Sequence, residues 1–194
     1  MKKIILFSIA VLFLFCASSF AQVGLSIKAQ GNYGILLKPD IQESGLPEEK
    51  LTKGGFGFSG QLLYRAVGKI VSLGVEAGYL RFWKDEYTIS GTKYKELLSA
   101  IPILGIIQLE SPLPLVSPYL QAGAGVYPLT PKLVVSGITV TDTITKFGVM
   151  AAAGVAIPLA PRIDLDVGGK LHMIFTEGES TIMLNPVVGI LIRF

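Results

Sequence analysis

Asp164 and Asp166 stand two residues apart in an alternating stretch, and Lys170 and His172 follow at the same parity. Two carboxylates, an amine and an imidazole on one face are raw material for general acid–base chemistry. His172 is the single histidine of 194 residues. That rules out a multi-histidine metal site and leaves a carboxylate–histidine–serine hydrolase as the one catalytic arrangement to weigh. Gly55-Phe56-Gly57-Phe58-Ser59-Gly60 fits a dinucleotide pattern literally. That chemistry needs a strand before the glycines and a helix N-terminus after them. Here a loop precedes and an alternating strand follows, so the match is accidental and no cofactor is expected.

The elements that must position these side chains are strands, because the apolar residues recur with period two. In the first strand, Val23 to Ile35, residues Val23, Leu25, Ile27, Ala29, Tyr33 and Ile35 take one face, and Ser26, Lys28, Gln30 and Asn32 the other. Similar alternation marks Gly55 to Ala66 with Arg65 on the polar face, Val71 to Phe82 with Glu76, Pro118 to Tyr127 with Gln121, and Ile163 to Phe175. Lys146 to Ile157 descends on small residues, and Ile182 to Phe194 closes the chain with Arg193 on the polar face. Leu97 to Leu109 is apolar nearly throughout, and Pro102 suggests that Pro102, Leu104, Ile106 and Gln108 face inward. Eight strands result, joined alternately by short turns and longer excursions. The first three excursions are Leu36 to Gly54, Trp83 to Lys95, and Pro128 to Thr145, the last with a hairpin around Ser136-Gly137.

Hydrophobic residues make up 51% of the chain, yet beyond the N-terminal segment no apolar run reaches the length of a spanning helix. Such hydrophobicity with 22 glycines points to an all-β, eight-stranded antiparallel up-and-down transmembrane β-barrel, whose polar faces line a lumen and whose apolar faces meet lipid. Residues 1–21 read as a signal peptide: Lys2 and Lys3, the run Ile4 to Phe15, then Ser19 and Ala21 flanking Phe20. Cleavage is expected between Ala21 and Gln22, leaving residues 22–194 as the barrel. The lone Cys16 would leave with the signal, and Phe15 before it is too bulky for a lipoprotein site. The remaining fifteen basic and fourteen acidic residues nearly balance, so no nucleic-acid partner is expected.

Charges inside a narrow lumen need partners. The expected interior network comprises Lys28, Arg65, Glu76, Asp164, Asp166, Lys170, His172 and Arg193, with Asp164 beside Arg193 and His172 next to Asn185. The inward side chains are expected to fill the lumen and block it to ions; the counterargument is that inward Gly74, Gly78, Gly123, Gly125 and Gly154 leave room for a cavity in its outer half, open toward the loops.

The alternating strand that ends on Phe194 resembles the last strand of bacterial outer-membrane barrels, and the Pro118–Tyr127 string Pro-Tyr-x-x-Ala-Gly-x-Gly-x-Tyr is similar to a strand of OmpA-like and OmpW-like barrels. The resemblance implies a monomer in the bacterial outer membrane, with Phe194 as an assembly signal for the barrel assembly machinery. It also implies lipid and lipopolysaccharide as partners. Arg81, Lys84, Lys93 and Lys95 flank an external loop that faces such lipid, although the interspersed Asp85, Glu86 and Glu96 fit a solvated loop better. The expected function is non-enzymatic, in envelope integrity or surface interaction through external loops. The alternatives are a narrow channel for small or hydrophobic solutes, as in OmpW-like proteins, and a lipid-modifying enzyme. Outer-membrane lipid A deacylases place a histidine and a serine on the lipid face, whereas parity puts His172 inside.

Overall fold

A computed structural model describes residues 24–38, 54–67, 70–83, 87–89, 92–111, 113, 115–135, 138–141, 143–175 and 180–194. The signal segment and the Ala21–Gln22 cleavage site lie outside the described residues. Among the described residues eleven strands run β1 Leu25–Lys38, β2 Gly54–Val67, β3 Val71–Trp83, β4 Tyr87–Ile89, β5 Thr92–Ala100, β6 Ile103–Glu110, β7 Ser117–Val135, β8 Ile138–Thr141, β9 Ile144–Ala160, β10 Ile163–Phe175 and β11 Ser180–Arg193. They form one closed antiparallel wall of eight staves. β1 pairs with both β2 and β11, β3 with β5 and β6 in succession, and β7 with β5, β6, β8 and β9. The fourth stave is β5 followed by β6, with Ile101 and Pro102 between them. Closure leaves no edge within the membrane band, which a lipid solvent requires.

The alternation fixes which side chains enter. Ser26, Lys28 and Gln30 are buried while Ala29, Gly31 and Tyr33 are exposed, and β6 reads exposed–buried along its whole length. Pro102, Leu104, Ile106 and Gln108 all lie inside. Between β9 and β10 the chain turns on Pro161 and Arg162, the latter at φ 72, as the third residue of a type II turn requires.

Two expectations are corrected. The stretch Trp83 to Lys95 is not a plain loop. β4 and β5 form a hairpin there, with Tyr87 opposite Tyr94, because β5 gains a second partner in β7, from Tyr94↔Val135 to Ala100↔Leu129. The hairpin expected within Pro128 to Thr145 is formed: β7 continues to Val135, and β8 returns beside it. The second correction is one of register. Lys170 faces Asn185, whereas His172 faces Met183.

The inward glycines leave no outer cavity beside themselves. A Cβ on Gly74 or Gly125 would run into the carbonyl oxygen of Leu62 or Ile103, and one on Gly123 would meet Ile106 Cγ2 at 2.9 Å. At Gly78 the Phe58 carbonyl oxygen is 3.0 Å away, and at Gly154 the Tyr119 hydroxyl takes the space at 2.5 Å. Tyr127 lies against Gly148 in the same way, at 2.7 Å. Neighbouring backbone takes the space beside Gly74, Gly78 and Gly125, and side chains of the neighbouring strands take it beside Gly123, Gly148 and Gly154.

Candidate functional site

The lumen holds one continuous polar net and, beyond it toward the long-loop end, an apolar cap. Arg193 begins the net at the short-turn end. Its Nε donates to Asp164 Oδ2 at 2.6 Å and its Nη2 to Glu110 Oε1 at 2.7 Å. Gln108 Nε2 donates to Glu110 Oε2, Gln121 Nε2 donates to Gln108 Oε1, and Gln121 and Gln61 exchange hydrogen bonds. Gln61 also donates to Glu76 Oε2 at 2.6 Å, and Lys170 Nζ donates to Glu76 Oε1 at 2.6 Å and to Ser59 Oγ at 3.0 Å. Ser59 leads through Gln30 to Asp166, which pairs with Lys28 at 3.0 Å. Tyr119 donates to the same carboxylate, and its ring lies 3.7 Å below the Lys28 ammonium.

Every stave except β9 contributes to this net, and β9 supplies Gly154, on which Tyr119 packs. The Lys28–Asp166 and Lys170–Glu76 pairs are almost wholly removed from water, with side-chain exposures of 2% or less. Buried ions of this kind persist only where several hydrogen bonds replace hydration. Chemically the arrangement binds the wall across its own lumen. Among the described residues it presents no free nucleophile, and no cluster of three or more histidine, cysteine or acidic side chains is placed to hold a metal.

Of the eight expected network residues, Lys28, Glu76, Asp164, Asp166, Lys170 and Arg193 lie in the net. His172 is buried above it, where Nδ1 is 2.9 Å from the Tyr127 hydroxyl. Arg65 has the inward parity but sits half-buried at the short-turn end, outside the hydrogen-bonded net. Sequence reasoning missed Glu110, one residue past the end of the expected strand Leu97 to Leu109, although it continues the inward parity of Gln108. It also missed Tyr119, whose phenol serves the lumen; Tyr127, at the inward parity of Gln121, enters as expected but outside the named network. Asn185 is buried with neither amide atom bonded.

The outer surface is apolar and carries aromatic pairs toward the long-loop end: Tyr33–Phe56 with centroids 5.2 Å apart, Phe58–Tyr79 at 5.8 Å and Phe147–Phe175 at 6.1 Å. Such rings mark a membrane interface. Beyond them β5, β7 and β8 continue as a raised wall, with Lys93 and Lys95 on β5. Lys84 lies outside the described residues.

The sequence pattern of the outer membrane protein β-barrel domain family matches residues 7–185. The chain belongs to this family. As a member of the outer membrane β-barrel family it resides in the bacterial outer membrane, where barrels of this kind keep their short turns periplasmic and their longer connections external. Solved structures of similar fold include Neisserial surface protein A, 17% identical, with a TM-score of 0.59 over 88% of this chain and 97% of that one. Ail, the attachment invasion locus protein of Yersinia pestis, is 16% identical with a TM-score of 0.55 over 89% and 99%. A major outer membrane protein of Thermus thermophilus is 13% identical with a TM-score of 0.54 over 88% and 99%. At these identities the likeness extends to the barrel alone. No curated protein matches by sequence.

Proposed function

We propose that this barrel is non-enzymatic and non-conducting, and that it serves envelope integrity or surface interaction through its external face. The polar net carries the reading. It crosses the lumen from Arg193 to Lys28 through bonded side chains of seven staves, leaving ions no unobstructed polar path through that layer. The raised wall of β5, β7 and β8 supplies external protein surface on a rigid support. His172, bonded to Tyr127 inside the barrel, is on the wrong side of the wall for attack on a membrane lipid. Purified protein in planar bilayers should give no stable single-channel steps. Reproducible steps from the unmodified protein would replace this reading with the narrow channel.

A further inference from the structure

The lipid-facing surface does not stop where the strands do. On β6, Ile103, Ile107 and Leu109 are exposed at outward positions, and the same parity continues through the β6–β7 turn as Leu113, 51% exposed, and Leu115, 83% exposed. Ile70 in the adjoining β2–β3 turn is also exposed, and its carbonyl accepts from the Glu110 N–H at 2.8 Å. Leu159, near the periplasmic end of β9, is exposed as well. Four large apolar side chains therefore lie on turns and strand ends on one side of the periplasmic rim. Residues 111–117, Ser-Pro-Leu-Pro-Leu-Val-Ser, carry no charge. A turn surrounded by water has no use for such a set.

Height within the membrane decides what covers it. In strands tilted by about 40°, each residue advances roughly 2.5 Å along the barrel axis, and each step to a neighbouring strand along the pairing register shifts height by about 3 Å. On that scale Leu109 lies level with the exposed Tyr64. The external aromatic rings average about 20 Å above that level, so an apolar band of ~25 Å ends about 5 Å below it. The tip of the β6–β7 turn reaches at most ~10 Å below Tyr64, inside the headgroup layer of about 5–8 Å rather than beyond it.

We propose that the β6–β7 turn is a lipid anchor, with Leu113 and Leu115 seated at the boundary between headgroups and acyl chains of the inner leaflet, and with Ile70 and Leu159 beside them. The occupant is phospholipid because the patch continues the lipid-facing band without an intervening charge. Among the described residues the periplasmic ends of β1 and β11 carry no such turn, so the barrel is held more deeply on its β6–β9 side.

Leu115→Trp and Leu113→Trp, each with Trp83→Phe so that the new indole is the only one, test this in vesicles of phosphatidylethanolamine and phosphatidylglycerol. Leu109→Trp serves as the embedded reference. The turn indoles should emit to the blue of free tryptophan and should lose more intensity to phospholipids brominated on their acyl chains than to acrylamide. Water-like emission quenched mainly by acrylamide would overturn the anchor. So would water-like emission that shifts to the blue only on adding a soluble periplasmic extract, which would assign the patch to a protein. Neither result bears on conductance, so this inference and the proposed function fail separately.

Discussion

Removing the Glu76 carboxylate tests whether the lumen is held by paired charge or simply filled. Its two oxygens take hydrogen bonds of 2.6 Å from Lys170 Nζ and from Gln61 Nε2. In Glu76→Ala, Gln61 keeps its exchange with Gln121, but Lys170 retains only Ser59 Oγ at 3.0 Å. Orphaning one member of a buried pair costs about 3–5 kcal/mol, a large share of a typical stability of ~5–15 kcal/mol. Replacing both partners, as Glu76→Leu with Lys170→Met, should recover most of that loss, because no uncompensated ion remains. Equilibrium urea unfolding of the protein refolded in lipid vesicles, followed by far-ultraviolet circular dichroism, measures all three proteins. The single variant should unfold at clearly lower urea and the double close to the native midpoint. Conductance should stay absent in both, since the Gln61–Gln121–Gln108 bridge and the Arg193 cluster remain. A single variant within about 1 kcal/mol of native, where exposed pairs usually fall, would refute the argument, as would a double variant less stable than the single.

Three further outcomes are expected from the same unfolding measurement. Gly125→Ala should cost about 1–3 kcal/mol because its Cβ collides with the Ile103 carbonyl; Gly169, with nothing within 4 Å of its Cβ, should accept alanine with no loss or a gain of up to ~1 kcal/mol. A reversal of that order would contradict the assigned facing. Asn185→Leu should stabilise by roughly 1–3 kcal/mol, since it removes a buried amide with no partner, and a lower midpoint would mean that the amide is bonded in the folded protein. Tyr127→Phe loses the 2.9 Å bond to His172 and should destabilise by about 1 kcal/mol, with an unchanged midpoint counting against that bond.

Facing was legible wherever lipid met one side of a strand and the lumen the other. Lys28 and Gln30 on β1, and Asp164, Asp166, Lys170 and His172 on β10, all enter because parity is a local property of an extended chain. Partnership is not local. Lys170 and Glu76 come from β10 and β3, which are not neighbours in the wall, and they meet only because eight strands enclose a width that two side chains can span. Arg65 shares their parity but stands too near the rim to reach the net. Glu110 was hidden by the turn signals of Pro112 and Pro114, and parity alone could not choose between Asn185 and Met183 as the neighbour of His172, because the register follows from the turn between β10 and β11. The missed β4–β5 hairpin has a different cause. Alternation is written into a strand by having unlike solvents on its two faces, and the bilayer supplies that contrast only within its own thickness. Above it that contrast is lost, and Thr92-Lys93-Tyr94-Lys95-Glu96 pairs as strand without displaying the pattern that betrays one. The external wall, on which the proposed surface function depends, is therefore the part of this fold whose sequence is least constrained by the membrane and freest to follow a partner.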